Sequence, residues 1–163
     1  MNKNNIAKDF RHGKKFQIGK HCVIQENCSV GYKVDIQHFV LLKKGTKIGD
    51  FCYIDSFVRS SGQNTIGSNV TLRFGSTIAR EVTIEDNVFI SPNVMTIYSD
   101  HHRVKKGGIV IGKHSFIGTN VVIAAGVKIA PNCVVGAMSL VTKDLRKAGI
   151  YMGIPAKWVK AHD

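Results

Sequence analysis

Two histidines stand side by side in residues 99–108, SDHHRVKKGG, directly after an aspartate. Imidazole is the side chain whose ordinary pKa lets it take up and return a proton near neutral pH. His101 and His102 are therefore the candidate bases, and Asp100 is the candidate carboxylate that orients one of them. Neighbours on an extended chain point apart, which leaves open what Asp100 faces. A solvated surface pair is the plain alternative. What sets this pair apart is its place in a pattern that is otherwise regular.

Aliphatic residues recur at every sixth position: Ile18, Ile24, Val30, Ile36, Leu42, Ile48 and Ile54, then Ile66, Leu72, Ile78, Ile84 and Ile90. Only Ser60 misses the slot, and the count resumes from Ile111 through Val141. A period of six fits neither a simple strand nor an amphipathic helix, and it is the signature of a parallel β-helix. Three hexads make one coil, and each coil buries its apolar edge only by stacking on the next. Four residues after each aliphatic a mostly small residue recurs, as at Cys22, Val34, Val58 and Ser76, which gives a narrow prism one branched and one compact side chain per face. Asn or Gly recurs three residues after the aliphatic (Asn27, Gly45, Asn69, Gly75, Asn87), the types that tolerate the positive φ of a sharp corner. The sequence thus predicts an all-β, single-domain chain over 1–163, with repeats over about 16–146 in about six coils. A basic lead segment, MNKNNIAKDFRHGKK, precedes the repeats and a tail over 147–163 follows them. Thr96 to Val110, fifteen residues, is not a multiple of six and must leave the stack as a loop. Loops on rigid scaffolds are where functional side chains concentrate.

The formal charge is +12, with lysines clustered at 14–15, 43–44 and 105–106. Without aromatic interleaving or a nucleic-acid motif, this charge predicts attraction of small polyanions rather than nucleic acid. The lead segment has no apolar core and no run approaches membrane-spanning length, so a cytoplasmic protein without membrane insertion is expected. All four cysteines (Cys22, Cys28, Cys52, Cys133) fall in the compact inward slot, which predicts packing thiols rather than disulfides, metal ligands or nucleophiles.

The stretches IEDNVFISPNV, SDHH, IVIGKHSFIGTNVVIAAGVKIAPNCVVGAMSLVTKD and GIPAKWVK resemble the hexapeptide-repeat acyltransferases, sugar and xenobiotic O-acetyltransferases included. That resemblance implies a left-handed coil, which chain physics alone does not give, since ordinary crossovers are right-handed. It also implies direct acetyl transfer from acetyl-CoA to a sugar or glycan hydroxyl, in surface polysaccharide or lipopolysaccharide synthesis. His101 would be the base, with His102 as the alternative. An oxyanion donor is implied near Gly118–Thr119. CoA contacts are implied at Phe116, Gly118, Thr119, Ala124, Ala137, Thr142, Lys143, Lys157 and Lys160, with Gly153, Pro155 and Ala156 shaping the exit. Some sugar acetyltransferases place an asparagine in the coil below the histidine; here that neighbourhood reads VTLRFGS, with Thr71 and Arg73. A homotrimer is implied, with each site between neighbouring prisms.

Three other readings compete. N-acetylation of a nucleotide-linked amino sugar would use the same scaffold. A zinc-dependent γ-type carbonic anhydrase needs three converging histidines, yet no two histidines here are thirty-six residues apart, and no metal is expected. A non-catalytic solenoid would not require the SDHH loop, the VTKD stretch and the GIPAK turn together. One feature bears on assembly: Phe39, Phe51 and Phe57 occupy corner slots. Phe39 and Phe57, one coil apart, should stack in the open, covered either by Phe10 and Phe16 of the lead segment or by a second subunit.

Overall fold

The computed structural model describes residues 3–100, 102, 104 and 108–162. Short strands, two residues long until the last coil, form three faces of eight, seven and nine strands. The first sheet runs from Asn5–Ile6 to Leu140–Val141, the second from Arg11–His12 to Lys128–Ile129, and the third from Gln17–Ile18 to Lys157–Lys160. Before the loop, pairing is parallel and in register at a spacing of eighteen residues, as in Ile36↔Ile54, Ile54↔Leu72 and Leu72↔Ile90, and the last pair of the third sheet is antiparallel. Each level thus presents the same slot to the core, and the aliphatic column is continuous. Ile36, Ile54, Ile78, Ile90, Ile111, Ile117 and Ile123 are all fully buried. Each such side chain contributes about 1.5–3 kcal/mol of burial.

The corners follow the expected chemistry. Asn27, Asn69, Asn87, Asn93, Asn120 and Asn132 all adopt φ between 57° and 59° or within two degrees of it, and Gly45, Gly75 and Gly126 are also left-handed. Phe39, Phe51 and Phe57 take the same conformation (φ 57°, 55° and 62°), so aromatic rings occupy positions that ordinarily favour Asn or Gly.

Two expectations are corrected. Eight strands stack in the first sheet, so the coil count is nearer eight than six. The additional strands come from both ends: in the lead segment Asn5–Ile6 pairs with Val23–Ile24 and Arg11–His12 with Ser29–Val30, and the tail adds Gly149–Met152 and Lys157–Lys160 to the third sheet. His12 occupies the slot that holds an aliphatic elsewhere, which hid the lead coil from the count. The second correction concerns Phe10 and Phe16. They do not cover the corner phenylalanines but lie at the open end of the prism against the core, edge to face with ring centroids 5.6 Å apart. Phe39 and Phe57 stack on each other at 5.0 Å with 10° between rings, remain 47% and 48% exposed, and His21 stacks on Phe39 from above.

The other end is closed by the tail. Leu145 and Tyr151 are buried, and the Tyr151 hydroxyl donates to the Lys147 carbonyl at 2.8 Å. The Gly153–Ala156 turn finishes the first sheet: Leu140 N–H donates to the Gly153 carbonyl (3.0 Å), and Ala156 N–H to the Leu140 carbonyl (2.8 Å). These bonds satisfy backbone groups that an exposed sheet edge would leave open. Among the described residues no helix is long and apolar enough to cross a membrane.

Ser60, the one miss in the aliphatic column, has a physical account. Its hydroxyl meets Thr46 Oγ1 at 2.7 Å and accepts from Asn64 Nδ2 at 2.8 Å, while Asn64 Oδ1 accepts the Val82 N–H at 2.8 Å. All three side chains are buried. A polar group is tolerated in a dry core only when its partners are supplied, and this triad supplies its own.

Candidate active site

The break is shorter than the expected Thr96–Val110: Thr96 still pairs with Ile123 and Val110 with Thr83, so the chain leaves the stack after Ile97. Where the regular ladder would continue, the Ala79 N–H donates to the Thr96 hydroxyl (2.6 Å), so a side chain takes the place of a backbone acceptor. Ile97 N–H still reaches the Ile123 carbonyl at 2.9 Å. Met95 then pairs with Val122, nine residues further along than an ordinary coil would put it. The loop emerges at the corner between the first and second sheets.

Its base is pinned to the coil above. The Tyr98 hydroxyl donates to Glu81 Oε1 at 3.3 Å, and the Arg80 guanidinium lies 5.9 Å from the Tyr98 ring centroid. Asp100 shapes the turn: its Oδ1 accepts the N–H groups of His102 and Val104, each at 3.0 Å, and its own N–H donates to the Val104 carbonyl at 3.2 Å. A carboxylate that takes two backbone donors fixes the loop rather than simply flanking a ring. His102 is exposed. His101 lies outside the described residues, as do Arg103 and residues 105–107.

The expected CoA contacts fall into three groups. Ala124, Thr142 and Lys143 follow strands of the first sheet, on the same corner as the loop and on its C-terminal side. Gly118, Thr119 and Ala137 lie on the opposite edge of that sheet, at the corner with the third sheet, and Phe116 precedes them on the third sheet, stacked on Phe89 at 5.4 Å. Lys157 and Lys160 are exposed on the closing antiparallel strand of the third sheet. A single chain therefore does not bring the loop and the Gly118–Ala137 edge together.

The two backbone donors of that edge are not equivalent. Gly118 N–H is committed to the Val135 carbonyl at 2.8 Å, and a Cβ at Gly118 would stand 2.6 Å from the Ala137 nitrogen. At the matching corner positions upstream, side chains one coil on accept the outward N–H: His38 Nδ1 from Lys20, and Ser56 Oγ from His38. One coil on from Thr119 stands Ala137, which has no acceptor, and the Thr119 N–H has no partner among the described residues. The Ala137 N–H of the same edge likewise has no partner among the described residues. Thr71 and Arg73 belong to the third sheet and its corner, away from the loop of the same chain. Arg73 pairs there with Asp55 at 3.2 Å.

The thiols are spent on structure. Cys22 donates to the Gln37 carbonyl at 3.0 Å and Cys52 to the Gly67 carbonyl at 3.1 Å. Burial raises the pKa of all four, and pushes Cys52 up to about 11. Buried neutral thiols are poor nucleophiles. Among the described residues no three His, Cys, Asp or Glu side chains converge to hold a metal ion.

Sequence reasoning passed over the residues on the N-terminal side of the loop. Lys43, Ser61 and Arg80 line two abutting depressions there, with Lys44 and Gln63 in one and Tyr98 in the other. Eighteen-residue arithmetic could have found them, since Lys43, Ser61, Ala79 and Ile97 share one column.

Comparison with known proteins is consistent with this geometry. The family described as GMPPB C-terminal domain matches residues 2–106, and the bacterial transferase hexapeptide (six repeats) matches residues 108–143. The chain is 34% identical to the galactoside O-acetyltransferase of Escherichia coli (strain K12) over 155 residues, 87% of this chain and 76% of that one. Its fold matches the UDP-N-acetylglucosamine acyltransferase from Campylobacter jejuni with a TM-score of 0.75 at 17% identity, covering 97% of this chain and 73% of the other. It also matches a mutant of AntD, an N-acyltransferase from Bacillus cereus in complex with dTDP-4-amino-4,6-dideoxyglucose and coenzyme A. That match has a TM-score of 0.57 at 24% identity and covers 90% and 84% of the two chains. These likenesses assign the coil its hand: the fold is the left-handed parallel β-helix.

Proposed function

The chain belongs to the hexapeptide-repeat acyltransferases, and on that premise we propose that it moves an acetyl group from acetyl-CoA to a sugar hydroxyl, with a loop histidine as general base. The observation that carries this reading is the position of the loop. The break in the eighteen-residue register after Met95–Thr96 carries the base of the SDHH loop to the corner that also holds Ala124, Thr142 and Lys143. The similarity to a galactoside O-acetyltransferase supports a sugar acceptor, and the coenzyme A in the AntD complex supports the donor.

In this reading His101, or His102 in its place, takes the proton of the acceptor hydroxyl as that oxygen attacks the thioester carbonyl. The Thr119 N–H faces the oxygen on which charge develops. The carbon–sulfur bond then breaks, and the imidazolium returns its proton to the departing thiolate. No enzyme nucleophile is needed, in keeping with four buried, neutral thiols. Lys143, Lys157 and Lys160 supply cations for the phosphates of the donor.

The geometry also supports assembly. The loop and the Thr119–Ala137 edge stand on opposite edges of one sheet, so a complete site forms where the loop of one chain meets that edge of another, as in a homotrimer. The exposed ring column of His21, Phe39 and Phe57 supplies apolar surface for such a contact. A role in surface polysaccharide synthesis and a single functional unit over 1–163 belong to the same proposal. N-acetylation of an amino sugar is the second reading, supported by the AntD likeness. The test supplies acetyl-CoA with a panel of free sugars, glycan fragments and amino sugars and follows thiol release together with product mass. O-acetylated product is expected; acceptor-independent thiol release alone, or none, defeats the proposal.

A further inference from the structure

We propose that the acceptor carries a phosphate group, held by Lys43, Lys44 and Arg80 in the groove on the N-terminal side of the loop, with its sugar turned toward Tyr98 at the loop base. The inference rests on the acetyltransferase reading for the sugar end; the phosphate end stands on the groove itself. Two depressions of about 290 and 540 Å³ abut there and share Lys43, Ser61 and Arg80. Their combined lining holds three cations and no carboxylate. Among the described residues none of the three cations pairs with an acid; Glu81, next to Arg80 in the chain, is engaged by the Tyr98 hydroxyl. Three uncompensated cations within one cleft focus a positive field that an anion relieves.

The groove is also built to hold still. Gly62 has φ +101°, and a Cβ there would stand 2.8 Å from the Lys44 carbonyl oxygen, so the wall between Lys44 and Gln63 is close backbone. Lys44 N–H donates to Gln25 Oε1 at 3.1 Å, and Gln63 N–H to the Lys44 carbonyl at 2.9 Å. Behind this wall lies the buried Thr46–Ser60–Asn64 triad. A guanidinium fork, two ammonium groups and the Ser61 hydroxyl suit a phosphate, which offers more acceptor oxygens and more charge than a carboxylate.

The loop is what makes the groove an acceptor site rather than a second seat for the donor. The loop base, pinned by Tyr98 to Arg80 and Glu81, divides this corner of the prism. Lys43, Lys44 and Arg80 lie on one side and Ala124, Thr142 and Lys143 on the other. Two anionic ligands are thereby held apart, with their reactive ends meeting at the loop.

The experiment is calorimetric titration of the full chain at saturating CoA, which fills the donor's own phosphate sites. The probes are UDP, galactose 1-phosphate, galacturonate and methyl galactoside. Wild-type protein should bind UDP or galactose 1-phosphate, and the arm that binds more tightly separates a nucleoside diphosphate from a simple sugar phosphate. K43Q/K44Q/R80Q should weaken that binding at least about tenfold, as should raised salt, because charge-assisted contacts are lost or screened. K14Q/K47Q, which removes two exposed lysines outside the groove, should leave it unchanged. All three groove side chains are exposed, so the variant keeps its fold, checked by its melting temperature. Unaltered phosphate binding in the triple variant, binding of galacturonate alone, or no phosphate binding by the wild type each overturns the proposal. Absent acetyl transfer would sink the acetyltransferase reading while leaving this binding result standing, so the two failures are distinguishable.

Discussion

Asn64→Ala is the most instructive single change to the scaffold. In the native prism Asn64 is completely buried; its carbonyl oxygen accepts the Val82 N–H at 2.8 Å and its amide donates to Ser60 at 2.8 Å. Truncation leaves a buried N–H without its acceptor, which costs about 1–3 kcal/mol. It also removes a net side-chain hydrogen bond worth about 1 kcal/mol. The expected loss is therefore about 2–4 kcal/mol, or roughly 5–15 °C in melting temperature for a chain of this size. The companion variant Thr46→Val/Ser60→Ile/Asn64→Val replaces the triad with the residue types that neighbouring levels use in the same slots. Elsewhere the equivalent N–H closes a turn onto the carbonyl three residues back, as Val58 does to Asp55 and Val121 to Gly118. With that turn available to Val82, the triple variant should recover to within about 1 kcal/mol of wild type, since replacing a whole polar cluster is far cheaper than orphaning one member. Thermal and urea unfolding read both variants. A stability for Asn64→Ala within about 0.5 kcal/mol of wild type, or a triple variant less stable than the single one, would refute the reasoning.

Stability should also fall at alkaline pH. Burial raises Cys52 from an ordinary value near 9 to about 11, so the folded state keeps a proton that the unfolded chain releases. That contribution is full below pH 9 and is lost as pH rises toward 11, about 2–3 kcal/mol across the window. Urea midpoints of wild type and Cys52→Val under reducing conditions check it; equally steep pH profiles for the two would count against the assignment. Phe39→Asp/Phe57→Asp should convert the assembly to monomers and abolish acetyl transfer with the loop untouched. Light scattering that still reports a trimer removes the ring column from the interface. Substituting Lys143, Lys157 or Lys160 by Ala should raise KM for acetyl-CoA several-fold at low salt and less at high salt, and a KM indifferent to salt in all three variants would place the donor phosphates elsewhere.

The regular part of the fold was legible because each level repeats one chemical decision. Ile54 and Leu72 mark the same slot eighteen residues apart, and Asn69 or Gly75 marks the turn between faces. The first coil was not legible, because His12 stands where the pattern demands an aliphatic and only backbone pairing with Val30 reveals the slot. Ser60 read as a miss for a related reason: its partners Thr46 and Asn64 are fourteen and four residues away, distances that a period of six does not connect. Stacking of Phe39 on Phe57 followed from corner arithmetic alone, yet what covers them did not, since Phe10 and Phe16 are needed at the open end of the prism. The loop was visible as lost rhythm. Hidden from the sequence was which edge of which face each candidate residue would occupy, so the division of Thr119 and Lys143 between opposite edges appears only in three dimensions.

The central claim is that a loop histidine removes the acceptor proton. Steady-state kinetics of His101→Ala and His102→Ala, with acetyl-CoA and an acceptor identified by product mass, tests it most directly. The account predicts that His101→Ala lowers kcat by on the order of 10²–10⁴ while KM for acetyl-CoA stays nearly constant, because the imidazole acts on the proton in flight and not on the donor. Loss confined to His102→Ala would assign the same role to the neighbouring ring. Near-normal turnover in both single variants and in the double variant would contradict the claim outright.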